Sequence, residues 1–221
     1  MFKVIKLKKK FVVQKKNKNI YTPSGNILMV NNKKHANLLI SELSKNSENF
    51  NDCSILGLTL FSCNLSKHEV FNIKEKIKKL FEHDNIFYRS FEEKDLIQLL
   101  NKKLNKFVNK FSKAFQINIK LLSSIMENQK EINFKLFEKY LDNLNIFRLT
   151  VFFKLSLLTK SVILSFFFLE KKLNFLKLYE FSNIENFYQQ KSWGLTDEQK
   201  VIDKDFLNTL KNISIFFKII D

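Results

Sequence analysis

Three glycines and one proline in 221 residues leave this chain few places to turn sharply or to run as open loop. The same sequence carries 25 phenylalanines and is 45% apolar, enough to bury one domain of ordinary size or two small ones. Scarce helix breakers together with ample core residues point to a folded, mainly helical chain and against a disordered one.

The hydrophobic period changes once along the chain. The first thirty residues alternate and turn: "FKVIKL", a lysine run, "FVVQ", the polar "KKNKN", then "IYTPSGNILMV". Thr22-Pro23-Ser24-Gly25 has the residue order of a type I turn between two strands. Asn32 opens a helix with Ala36, Leu39, Ile40 and Leu43 on its apolar face, and "CSILGLTLF" at 53–61 is strand-like. From about residue 68 the period is helical. Val70, Ile73, Ile77 and Leu80 form one stripe, and Ile97, Leu100, Leu104, Phe107, Val108, Phe111 and Phe115 form a longer one behind a Ser90–Glu93 capping box. Phe134, Phe137, Leu141 and Leu144 mark another helix, and 147–169 is apolar nearly all round, as in the central helix of a bundle. The expected fold class is α+β: a small β-rich N-terminal domain over residues 1–68, then a larger all-helical C-terminal domain over 69–221.

The net charge of +16 suits an acidic partner, such as nucleic acid, an anionic membrane surface or an acidic protein. Arginine occurs only at Arg89 and Arg148, however, and readers of phosphates and bases lean on the forked guanidinium. Enrichment in Lys, Asn, Ile and Phe together matches an AT-rich genome, and lysines spread over every segment describe a solvated surface more than a patch. The alternative function kept from the charge is a lysine-rich nucleic-acid or ribosome-associated protein, whose binding would fall steeply with salt.

Cys53 and Cys63 have neither CxxC spacing nor a His at ligand intervals, which argues against a disulfide framework and a zinc site and for a reducing compartment. "MFKVIKLKKKFVV" lacks the apolar core of a secretory signal. The apolar stretch at 151–169 is interrupted by Lys154 and Lys160, so a buried helix is expected there and no membrane insertion. The three glycines are too far apart for a phosphate-binding loop, and His35, His68 and His83 stand alone. No catalytic residue, cofactor or metal is expected, and the chain is not expected to be an enzyme.

The segment "FYQQKSWGLTDEQK" at 187–200 holds the sole Trp. Phe181, Ile184 and Tyr188 lie at helical spacing, Gly194 suits a helix end, and Thr196 with Gln199 forms a second capping box. The last helix is expected to bury Ile202, Phe206, Leu210, Ile213 and Phe217, with Trp193 packing the joint. Glu185, Gln189 and Trp193 fall on one line of the incoming helix, and Asp197 and Glu198 occupy the first turn of the outgoing one, where carboxylates suit the helix dipole.

Taken in order, several stretches resemble the ATP-twelve family of ATP synthase assembly chaperones. "YTPSGNILMV" is similar to its proline turn and following strand, "HANLLISEL" to its first helix, "DNIFYRSFEEKDLIQL" to its Asp…Tyr-Arg motif, "KSVILSFFFLEKKL" to its apolar helix with a serine at Ser161, and "YQQKSWGLTDEQ" to its Trp-Gly signature. The chain departs from the family at Leu43, Asn31, Lys160 and Asn186, where Trp, Pro, Gly and an acid are usual. The resemblance implies a non-enzymatic chaperone, a monomer when free, that holds the free alpha subunit of the ATP synthase F-one sector and shields its future interface without a cofactor. It implies no nucleic-acid partner, and a bacterial cytoplasm or, alternatively, a mitochondrial matrix. The positions that match, and so carry the expected partner contacts, are Asp84, Tyr88, Arg89, Glu185, Gln189, Trp193 and Glu198, joined by Asp197 from the same first turn. Among these Glu198 is the expected contact and Trp193 its support.

Overall fold

The computed structural model describes residues 2–45, 51–89, 93–124, 126–127, 129 and 131–221. Their contacts divide into two compact units, 1–71 with 144–154 and 211–221, and 72–143 with 155–210. The units interleave along the chain, whereas the change of period set a single boundary at 68.

In the first unit, strand β1 (Phe2–Leu7) pairs antiparallel with β2 (Lys10–Lys15), setting Val4 opposite Val13 and Leu7 opposite Lys10. The other edge of β2 carries β3 (Lys18–Asn19) and β4 (Met29–Val30). Lys16 and Asn17 both have positive φ, 49° and 63°, as a two-residue turn matching the twist of its strands requires. The turn expected at Thr22–Gly25 is present: the Gly25 N–H donates to the Thr22 carbonyl at 2.9 Å, with Tyr21 and Ile27 bridged across it. Helix α1 (Lys33–Ser44) starts at Asn32, whose side chain accepts from the His35 N–H at 2.7 Å, and its buried Ala36 and Leu39 belong to the element that packs on the sheet.

The strand expected at 53–61 is instead helix α2 (Ile55–Asn64). Two caps decide the matter. The Ser54 hydroxyl accepts from the Gly57 N–H at 3.0 Å, and the Glu42 carboxylate accepts from the Leu56 N–H at 2.7 Å. A segment apolar on all sides shows no period, so these caps were its informative features. Gly57 also belongs there, because a side chain would meet the Asn51 carbonyl oxygen at 2.6 Å. His35 closes this core: its ring lies 2.7 Å from the Thr59 hydroxyl and meets Phe147 and Phe216 edge-on at 5.9 and 5.4 Å. Burial pushes its pKa down to about 4, so the ring is neutral at physiological pH.

The remaining helices are α3 (Lys67–Glu82), a 3-10 turn (Asn85–Phe87), α4 (Lys94–Phe115), α5 (Lys135–Asn143), α6 (Ile146–Thr159), α7 (Val162–Leu169), α8 (Phe175–Ser182), α9 (Ile184–Trp193) and α10 (Asp197–Ile220). The class is therefore α+β, a small N-terminal sheet followed by a larger helical region. The second unit is centred on aromatic side chains. Phe111 of α4 lies 5.3 Å from Phe81, 5.4 Å from Phe137 and 5.3 Å from Phe166, tying α3, α5 and α7 to α4. The expected stripe of α4 is buried except that Leu96 takes the place of Ile97.

Residues 147–169 are not one helix. Lys160 adopts φ 50°, which ends α6, and Ser161 begins α7 by accepting from the Leu164 N–H at 3.1 Å. Ser90 of the first capping box lies outside the described residues, and Glu93 at the start of α4 makes no side-chain cap. No helix among the described residues is long and apolar enough to cross a membrane, and both cysteines are free.

Candidate functional site

The residues from Asp84 to Arg89 form a bracket inside the second unit. Asp84 is fully buried, and its carboxylate accepts from the Ile86 N–H at 3.0 Å and from the Ile163 N–H at 2.9 Å. One side chain thus caps both the 3-10 turn and the start of α7. Desolvation pushes its pKa up to about 7, against the lowering effect of these donors and the Ser161 hydroxyl. Arg89 is 6% exposed. Its guanidinium donates to the carbonyls of Ile86 and Tyr88 at 2.8 and 2.7 Å and to the side chains of Asn101 and Asn105 at 2.9 and 2.7 Å, holding the turn against α4. The half-buried Tyr88 donates its hydroxyl to the Glu127 carbonyl at 3.3 Å. Asp84 and Arg89 therefore work as framework and offer no surface to a partner; Tyr88 is partly turned inward.

At the corner between α9 and α10 the expectation for Trp193 is overturned. Its side chain is 76% exposed and does not pack the joint. What holds the corner is Asp203, whose two carboxylate oxygens accept from Gln190 of α9 at 3.0 Å and Gln199 of α10 at 2.7 Å. Gly194 ends α9 at φ 83°, as its spacing suggested, and the Thr196 hydroxyl accepts from the Gln199 N–H at 3.2 Å. Because the Gln199 side chain goes to Asp203, only half of the expected capping box exists. Ile202, expected inside, is 53% exposed, while Leu210, Ile213 and Phe217 are buried as expected. Phe206 is half-buried.

The outcome is a surface on which Trp193, Leu195, Val201 and Ile202 are all exposed, beside the exposed Gln189, Asp197 and Glu198. Large apolar side chains gathered with acids at one corner are the kind of patch that marks a contact site. Sequence reasoning missed Asp203 and the apolar members other than Trp193. The signal available for Asp203 was its place four residues after Gln199.

A cleft of about 250 Å³ opens in the same unit, lined by the apolar Leu100, Leu104, Leu164 and Phe206 and by Asn85, Glu185 and Asp203. Glu185 lines this cleft while remaining exposed on its other side, and the partial desolvation raises its pKa while the charge of Arg89 acts the other way. The structure thus brings Arg89 and Glu185, two of the expected site residues, within electrostatic reach of one another. Among the described residues no group of three His, Cys, Asp or Glu side chains could hold a metal ion.

No family model and no curated protein sequence matches the chain. Solved structures do. A putative chaperone from Agrobacterium tumefaciens, Atu1473, superposes with a TM-score of 0.84 at 16% identity, over 99% of this chain and 83% of that one. Atp12 from Paracoccus denitrificans superposes at 0.81 with 14% identity, over 100% of this chain and 96% of that one. A mutant of P. denitrificans Atp12p gives 0.82 at 15%, over 100% and 95%. Similarity that runs the full length of the chain at such TM-scores means that this protein has the fold of Atp12, the family its motifs resemble.

Proposed function

We propose that this protein is a non-enzymatic chaperone of ATP synthase assembly that binds the free alpha subunit of the F-one sector and releases it to the catalytic hexamer. The observation that carries this reading is the exposed corner, where the only Trp and three large aliphatic side chains stand in water next to Asp197 and Glu198. A protein that shields an orphan subunit needs an apolar surface of its own, because what it covers is an interface prone to aggregate. The Atp12 fold supports the reading, and so does the match of the corner to the Trp-Gly signature. Release needs no cofactor if the next subunit of the hexamer binds more tightly. A chaperone of this kind is monomeric when free and works in a bacterial cytoplasm or a mitochondrial matrix.

The test is co-expression with the alpha subunit of the same organism, followed by purification and by light scattering of isolated alpha subunit with and without the chaperone. A complex stable in moderate salt and suppression of aggregation near one-to-one without ATP are expected. An ATP requirement, or no effect at tenfold excess, would overturn the proposal.

A further inference from the structure

The acids of this chain are not spread as its lysines are. All 22 Asp and Glu residues fall after position 41, while residues 1–41 hold ten lysines. An AT-rich genome does not explain this, since its codon preference favours lysine without removing Asp and Glu from one stretch. Eight of the ten, Lys3, Lys6, Lys8, Lys9, Lys10, Lys15, Lys16 and Lys18, sit on the three paired strands β1, β2 and β3 and their two turns. All eight are exposed, and none forms an ion pair among the described residues. Lys15 stands directly opposite Lys18, a pairing of like charges that disfavours the sheet unless an anion offsets it.

Lysines on an edge strand also deter strand-to-strand aggregation, which accounts for Lys3 and Lys6 on β1. It does not account for Lys8, Lys9 and Lys16, which lie in turns. At the β1–β2 turn an apolar side chain joins them: Leu7 is 51% exposed, next to Lys8, Lys9 and Lys10. We propose that the β1–β2 end of this hairpin, with Lys8, Lys9 and Lys10, is a peripheral docking surface for an anionic phospholipid bilayer, with the Leu7 side chain entering the headgroup layer. Compact ammonium charges on flexible stems suit a diffuse field of lipid phosphates, and the first unit's strands hold no arginine fork for reading nucleic acid. An exposed leucine among lysines fits a lipid surface, which takes up both charge and apolar area. The surface lies apart from the α9–α10 corner in sequence and does not depend on the function proposed above.

The experiment is co-sedimentation of the full chain with vesicles of phosphatidylcholine containing about one-third phosphatidylglycerol, against vesicles of phosphatidylcholine alone. Binding to the anionic vesicles only is expected. Because each lysine near such a surface is worth roughly fivefold in affinity, replacing Lys8, Lys9 and Lys10 together by Gln should weaken binding about 100-fold. A charge-matched control, Lys102, Lys110 and Lys113 of α4 all to Gln, should bind as the native chain does. Leu7→Asn, which leaves the charge unchanged, should weaken binding roughly tenfold. Far-ultraviolet circular dichroism establishes that each variant is folded. Equal binding to neutral vesicles, no binding to either kind, equal loss in the two triple variants, or an unaffected Leu7→Asn variant would overturn the proposal. Single-stranded poly(U) that displaces the protein from anionic vesicles at equal phosphate concentration would assign the surface to nucleic acid instead.

Discussion

Replacing Trp193 by alanine separates a packing residue from a contact residue. A buried tryptophan at a helix joint would cost about 3–5 kcal/mol on truncation. Here the side chain is 76% exposed, so about a quarter of its surface is covered. A quarter of a tryptophan's roughly 250 Å² is about 60 Å², and at about 25 cal/mol per Å² its loss costs at most ~1.5 kcal/mol. For a chain of this length that is a fall in Tm of about 3–6 °C. If Trp193 is an anchor for the alpha subunit, the effect on binding is larger than the effect on stability. Aromatic anchors in interfaces cost about 2 kcal/mol or more when truncated, which is about 30-fold in Kd. The assay pairs a thermal melt of the free protein with titration against the alpha subunit. A drop in Tm of 10 °C or more would refute the exposed placement, and unchanged affinity in a folded variant would refute the corner as the client surface.

Glu198→Lys reverses an exposed first-turn acid, so the melt should move by only about 0.3–1 kcal/mol, while co-purification of the alpha subunit should fall sharply; a variant that binds normally leaves the acids at 197 and 198 as helix-dipole partners alone. Asp84→Ala should unfold the protein at markedly lower temperature, because two buried N–H groups lose their acceptor at about 1–3 kcal/mol each; a melt within 2 °C of the native one would contradict the bracket. His35 is neutral in the fold with its pKa at about 4, below the unfolded value, so the unfolded chain binds the extra proton and stability falls as pH drops from 7 to 5, by about 2 kcal/mol. Asp84, raised to about 7, acts in the opposite sense, so the readout is the difference between native protein and His35→Gln, and parallel pH profiles would refute the assignment. A fragment of residues 69–221 should give a mainly helical circular-dichroism spectrum but bind a hydrophobic dye, because Phe147 and Phe216 lose the His35 they pack against; a strand-dominated spectrum would refute the boundary near 68.

What could be read from the sequence is what a period or a cap encodes. The stripes of α3 and α4, the Asn32 cap, the Thr22–Gly25 turn and the Gly194 stop each depend on residues within a few positions of one another. Where every position is apolar the period vanishes, and at two such stretches the structure departs from the pattern. Residues 55–64 took a helix because a carboxylate from α1, Glu42, caps it from a distance. The run 147–169 broke in two because Lys160 takes a left-handed conformation, unfavourable for lysine, that no local pattern announces. Family resemblance held a clue there, since glycine is usual at that position and would adopt the same φ without strain.

The positions matched to the Asp…Tyr-Arg motif and those of the Trp-Gly corner turn out to be of two physical kinds. Asp84 and Arg89 are buried, and every bond they make is to their own chain: Asp84 joins the 3-10 turn to α7, and Arg89 joins it to α4. Such residues depend on an acceptor or donor at one place inside the unit, so their roles are set by the fold itself. Trp193, Asp197 and Glu198 are exposed: Trp193 packs no joint, while Asp197 pairs with Lys200 at 2.8 Å and both acids suit the first turn of α10. If the corner is the client surface proposed above, the contact should be sought along Glu185, Gln189 and Trp193 toward Glu198, where the exposed apolar side chains of Leu195, Val201 and Ile202 lie.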